Sequence, residues 1–183
     1  IRNNEFFQAY GECVRIKYLS TNNTFESNNV HDCGLGSFVL KDGDKSGEGV
    51  YIGTAPEQLS KNPTKVKDES NNNIVRNNIF NTKGNECVDI KEGATNNIVE
   101  DNTCTGQKDA ESGGMDSRGS GNTFRNNEIF GNLGAGIRFG GDKSTDGLNN
   151  NAYGNNIHDN KGYAIKAMRW PQGKICGNTV SNN

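Results

Sequence analysis

The stretch Asn73-Ile74-Val75-Arg76-Asn77-Asn78-Ile79-Phe80, followed after a polar turn by Val88-Asp89-Ile90-Lys91, decides the fold. Two short apolar strands flank an asparagine corner, and a third strand follows about ten residues on. Three short strands per period, separated by turns, are the pattern of a parallel β-helix rather than of a helical repeat. Leucine is scarce and β-branched residues fill the apolar slots, which favours strand over helix.

The corner recurs at Asn3-Asn4, Asn28-Asn29, Asn77-Asn78, Asp101-Asn102, Asn126-Asn127, Asn155-Asn156 and Gly177-Asn178. Counted on the second residue of each pair, the intervals are 25, 49, 24, 25, 29 and 22. A second asparagine recurs about five residues upstream, at Asn23, Asn73, Asn97, Asn122 and Asn151. Asparagine tolerates left-handed backbone angles, and stacked amides can bond coil to coil, so an asparagine ladder is expected to hold the scaffold. The predicted architecture is an all-β solenoid of about six to seven coils over residues 1–183.

Only 31% of the 183 residues are hydrophobic, and 30 are asparagine, too little apolar material for an ordinary layered core. A solenoid needs less, because each coil buries its few inward side chains against its neighbours. The net charge of −2, with no basic tract and no phosphate loop, argues against a nucleic-acid partner. No apolar run approaches the roughly 20 residues that span a bilayer. Nothing in the sequence sets an oligomeric state. Because Ile1 opens inside a repeat, the chain reads as a segment of a longer protein. Five cysteines without CxxC spacing suggest disulfides and an extracellular setting, with Cys176 the odd thiol.

The third strands are Cys13–Lys17, Gly49–Gly53, Cys87–Lys91, Gly114–Arg118, Gly136–Phe139 and Ala164–Ala167. Period-two alternation turns Val14, Val50, Val88, Met115, Ile137 and Ile165 inward. Arg15, Tyr51, Asp89, Asp116, Arg138 and Lys166 then form one outward file, and Lys17, Gly53, Lys91, Arg118, Gly140 and Met168 the next. The doubled interval between Asn29 and Asn78 takes Val50-Tyr51-Ile52 as its third strand, with Phe38-Val39-Leu40 as the alternative. Long loops at about 34–48 and 54–70 then border a charged face, and long loops in a tight solenoid tend to be functional.

With its asparagine corners, its 24-residue period and this charged sheet, the chain resembles the right-handed parallel β-helix proteins of the pectate-lyase-like superfamily. Gly47-Glu48-Gly49-Val50-Tyr51-Ile52-Gly53-Thr54-Ala55 and Val88-Asp89-Ile90-Lys91-Glu92-Gly93 are similar to segments of an uncharacterised secreted branch. The resemblance implies a polysaccharide partner and, in lyases of this fold, a Lys or Arg base on the third-strand face, often beside calcium-holding acids. Fold alone does not choose among lyase, hydrolase, epimerase and binding module.

Elimination across a uronic acid requires quenching the sugar carboxylate, removing its α-proton and protonating the leaving oxygen. Lys91, Arg118 and Tyr51 are the expected catalytic residues, and Arg138, Lys17, Lys166 and Trp170 the expected substrate contacts. Arg118 and Arg138 beside Lys91 are expected to lower its pKa, with adjacent Asp89 pulling the other way. Asp89, Asp116 and Glu92 offer hard oxygen ligands for calcium. The alternatives are a salt-bridge row on the sheet and a non-catalytic carbohydrate-binding or structural module of a larger extracellular protein. A hydrolase is disfavoured because cations around Asp89 and Asp116 should hold both ionised. His31 and His158 lie away from this face and receive no role.

Overall fold

A computed structural model describes residues 1–42 and 46–183 of the chain. Among the described residues, strands of mostly three residues stack in parallel into one sheet of seven strands and two of six, each pairing with its equivalents in the coils above and below. This is a parallel β-helix with three sheets. The third sheet runs through Val14–Ile16, Val50–Ile52, Val88–Ile90, Gly113–Ser117, Ala135–Phe139 and Ile165–Ala167. Val50, not Phe38, pairs with Val14 and Val88, and Gly36–Leu40 forms a helical turn instead.

Inward side chains such as Phe25, Val75, Phe80, Met115, Phe124 and Phe139 are fully buried and form one continuous core. Each coil is completed by its neighbours, which is how a chain so poor in apolar residues stays folded. Gly49 shows how tight the stacking is: a Cβ there would lie 2.6 Å from the carbonyl oxygen of Cys87.

Each corner divides its labour between two residues. The first takes left-handed angles, with φ of 54° at Asn77, 54° at Asp101 and 55° at Asn126. The second turns its amide along the helix axis. Asn28, Asn78, Asn102, Asn127 and Asn155 bond successively, each Nδ2 donating to the next Oδ1 at 2.9–3.1 Å. In two coils the sequence count fell one residue late, because Ser27-Asn28 and Gly154-Asn155 supply the corner rather than Asn28-Asn29 and Asn155-Asn156. Likewise the upstream row passes from Asn122 to Asn150, whereas Asn151 opens a strand paired to Thr123.

Two disulfides, Cys13–Cys33 and Cys87–Cys104, close loops of 20 and 17 residues, and Cys176 is free and exposed. Of the long loop at 34–48, residues 43–45 lie outside the described residues. The loop at 54–70 begins with a helical turn, Pro56–Lys61, and is anchored by Asp68. The Asp68 carboxylate accepts from Tyr18 N–H, Leu19 N–H, Thr54 Oγ1 and Ser70 Oγ at 2.6–2.9 Å.

Candidate active site

The register of the third sheet brings Arg15, Tyr51, Asp89, Asp116, Arg138 and Lys166 into one file, each paired with the next. The file points away from the core as alternation predicts, but the face it forms is sunken. Tyr51 is 3% exposed, Asp89 2% and Asp116 1%. Gln58 of the 54–70 loop accepts a 3.1 Å hydrogen bond from Arg15 at one end of the file, and Asp109, Glu111 and Ser112 rise beside its middle. Residues 109–112 wall a pocket of about 250 Å³, whose floor carries Asp89, Lys91, Asp116, Arg118 and Arg138.

Burial forces the charges into pairs, since a lone buried ion is costly. Lys91 Nζ lies 2.5 Å from Asp89 Oδ2, and Arg138 Nη1 lies 2.5 Å from Asp116 Oδ2. Arg118 bonds Glu92 at 2.6 Å and Asp142 at 2.7 Å. The Tyr51 ring is held between two cations, Arg15 at 4.3 Å and Lys91 at 4.6 Å from its centroid. Three oxygens here have no hydrogen-bond partner among the described residues: Tyr51 Oη, Asp89 Oδ1 and Asp116 Oδ1.

Two carboxylates that sequence reasoning passed over join this floor. Glu48 and Glu86 precede their third strands by two residues, and one oxygen of each lies within 4.8 Å of the others and of Asp89. Glu48 accepts from Gly47 N–H at 2.8 Å, and Glu86 accepts from Ser112 Oγ. Burial, reinforced by the charge of Asp89, pushes the Glu48 carboxyl up to about 7. The same causes lift Glu86 well above the usual carboxylate range.

Burial also raises Asp116 to about 6 against the pull of Arg138, so the expectation that cations hold this pair of aspartates ionised fails for Asp116. Of the two opposing pulls expected on Lys91, that of Asp89 wins over that of the arginines. Burial favours the neutral amine there, but Asp89, Tyr51, Glu86 and Glu48 outweigh it and the ammonium is held. Like-charged arginines are not its nearest neighbours; carboxylates are. Tyr51 is pushed up to about 12 by burial and stays a phenol.

The other expected contacts lie outside the pocket lining. Lys17 sits over the ring of Tyr18 at 4.4 Å, Lys166 is half-buried on the strand beyond Arg138, and Trp170 stands 70% exposed in the turn that follows. The expected calcium ligands Asp89, Asp116 and Glu92 do not converge, because each is closed by its own cation, Lys91, Arg138 or Arg118. Glu48, Glu86 and Asp89 do converge, yet the Lys91 ammonium already supplies positive charge to that cluster. These three carboxylates, rather than Asp89, Asp116 and Glu92, are the group that would hold a hard cation, with Lys91 competing for the charge of Asp89. His31 and His158 lie on the seven-stranded sheet, bonded to Asp32 and Asp159 and stacked on Phe7 and Phe130.

Residues 61–183 match the family model described as a right handed beta helix region, and the chain belongs to that family. Among solved structures it is similar to an alginate lyase from Paenibacillus sp. str. FPU-7, with a TM-score of 0.79 at 19% identity over 98% of this chain and 62% of that one. It is also similar to a double mutant of the periplasmic alginate epimerase AlgG, with a TM-score of 0.71 at 14% identity over 98% of this chain and 39% of that one. The chain thus spans less than two thirds of either protein. No curated protein matches the sequence. At these identities the likeness is one of fold.

Proposed function

We propose that this chain acts on a uronate-bearing polysaccharide and cleaves it by β-elimination in the pocket over the third sheet. One observation carries the reading: three fixed cations, Lys91, Arg118 and Arg138, share a small pocket with Glu48, whose carboxyl titrates near neutrality. The arginines are placed to hold the sugar carboxylate, which makes the α-proton more acidic. Glu48 takes that proton at neutral pH, because its pKa matches the working range.

As the C–H bond breaks, its electrons form a double bond to the β-carbon, and the C–O bond to the departing sugar breaks. The Lys91 ammonium protonates the departing oxygen, with the unpartnered Tyr51 hydroxyl beside it. Lys91 is therefore not the base, because its carboxylate neighbours hold it as the ammonium. No step requires calcium.

The names of the two similar structures, an alginate lyase and an alginate epimerase, support an acidic polysaccharide as substrate. The two disulfides support work in an oxidising, extracellular or periplasmic setting. The test is incubation with polyuronates, with and without a chelator, following the ultraviolet absorbance of unsaturated product. Absorbance that grows equally in both supports the reading. New reducing ends without absorbance mean hydrolysis, and saturable binding without product means a binding module; either result replaces it.

A further inference from the structure

The six-stranded sheet that runs through Thr24–Glu26, Ile74–Arg76, Ile98–Glu100 and Thr123–Arg125 takes no part in the site described above. In each of these strands the middle residue is buried in the core and the outer two stay partly exposed. Parallel pairing in register lines those outer residues into two files, one of Thr24, Ile74, Ile98 and Thr123, the other of Glu26, Arg76, Glu100 and Arg125. The first file reads the same from either end. The second reads backward with every sign reversed.

We propose that this face pairs with the same face of a second copy of the chain. The twofold axis lies between the two faces, parallel to the strands, over the gap between Ile74–Arg76 and Ile98–Glu100. It turns the second solenoid end for end while keeping the strand direction. Ile74 then faces Ile98 of the copy and Thr24 faces Thr123, while Glu26 faces Arg125 and Arg76 faces Glu100. A twofold axis along the solenoid would instead set the Thr and Ile file against the charged file and lose both matches.

The side chains are in place before a copy arrives. Arg76 bonds Glu26 at 2.8 Å through both Nε and Nη2, and Arg125 bonds Glu100 at 2.6 Å through Nε and 2.5 Å through Nη2. Against the second copy each ion gains another counterion without giving up its first, and little ordering is left to do on binding. Across these four strands the charges cancel, so the face does not select a polyanion; its complement is its own pattern reversed. The pocket lies over a different sheet, so pairing leaves it open, and the inference is independent of the function proposed above.

Six strands at about 4.8 Å, each about five residues wide at roughly 3.3 Å per residue, give on the order of 400 Å² per copy. That is half of the roughly 800 Å² each partner gives to a standard interface, so a weak dimer is expected, with Kd of about 0.1 mM. Sedimentation equilibrium of the wild-type chain from about 10 μM to about 1 mM, either side of that value, should pass from monomer to dimer. Arg125→Glu alone and Glu26→Arg alone each set like charges face to face and should stay monomeric throughout. An equimolar mixture of the two should dimerise again, because each carboxylate of one variant then faces a guanidinium of the other. Circular dichroism checks that both are folded, and Arg76→Glu with Glu100→Arg is a second pair built on the same logic should one of the first fail to fold. A wild-type chain still monomeric at about 1 mM overturns the proposal, as does a dimer indifferent to the single reversals, or a mixture of folded variants that stays monomeric.

Discussion

Replacing Glu48 by glutamine should change how stability depends on pH. The carboxyl titrates at about 7 in the folded chain against 4.5 when unperturbed, chiefly because burial opposes its charge. Folding therefore takes up a proton over that window, and the stabilisation is full below pH 4.5 and lost as pH rises through 7. At about 1.4 kcal/mol per pKa unit, the loss is on the order of 3 kcal/mol. Asp116, displaced from 3.8 to about 6, acts with the same sign at lower pH, and the two are not additive because they share one pocket. The raised histidines His31 and His158 also act with this sign, but they remain in both proteins and cancel in the comparison. Glutamine is nearly isosteric, its carbonyl can still accept from Gly47 N–H, and it cannot ionise. Urea unfolding from pH 4 to 8 is the assay: the wild-type midpoint should fall with rising pH, and the Glu48→Gln midpoint should fall distinctly less. Parallel curves for the two proteins would refute the claim that this carboxyl is protonated by burial.

Asn102→Ala removes the acceptor for Asn78 N–H and Nδ2 and the donor to Val75 O, all buried, and should cost about 2 to 4 kcal/mol in chemical denaturation, whereas exposed Asn4→Ala should cost under about 1 kcal/mol. Arg138→Met leaves the Asp116 carboxyl buried without its counterion and should cost about 3 to 5 kcal/mol, much of which a second change, Asp116→Leu, should restore; equal losses in the single and double variants would contradict the ion-pair account. Reducing the disulfides, which close loops of 20 and 17 residues, should remove about 3 kcal/mol each, read as a fall in melting temperature. Before reduction, a thiol reagent should modify Cys176 alone.

The scaffold was legible because its determinants repeat. Asparagine corners and period-two strands set a register that placed Tyr51 beside Asp89 and Asp116 beside Arg138 from sequence alone. The corner count slipped only where Ser27 or Gly154 took the left-handed residue that asparagine or aspartate supplies in most other coils. What does not repeat was not legible. The walls at 54–70 and 109–112 are single insertions with no register to follow, so the burial of Tyr51, Asp89 and Asp116, and with it the rise of the Lys91 pKa, had no periodic signal.

Glu48 and Glu86 are an instructive middle case. Glu12-Cys13-Val14, Glu48-Gly49-Val50 and Glu86-Cys87-Val88 repeat in register on three successive coils, so the signal was present. It was missed because strand alternation, extended backward past the strand start, turns these residues inward. The chain bends there, and Glu48 and Glu86 line the outer pocket instead.

The most direct measurement is the appearance of unsaturated uronate, by ultraviolet absorbance at neutral pH, when a polyuronate is mixed with the wild-type chain and with its Lys91→Gln variant. The account predicts product from the wild type and a rate lower by about 100-fold or more in the variant, which loses the proton for the departing oxygen. Absence of product from every polyuronate, or an undiminished rate in Lys91→Gln, would contradict it.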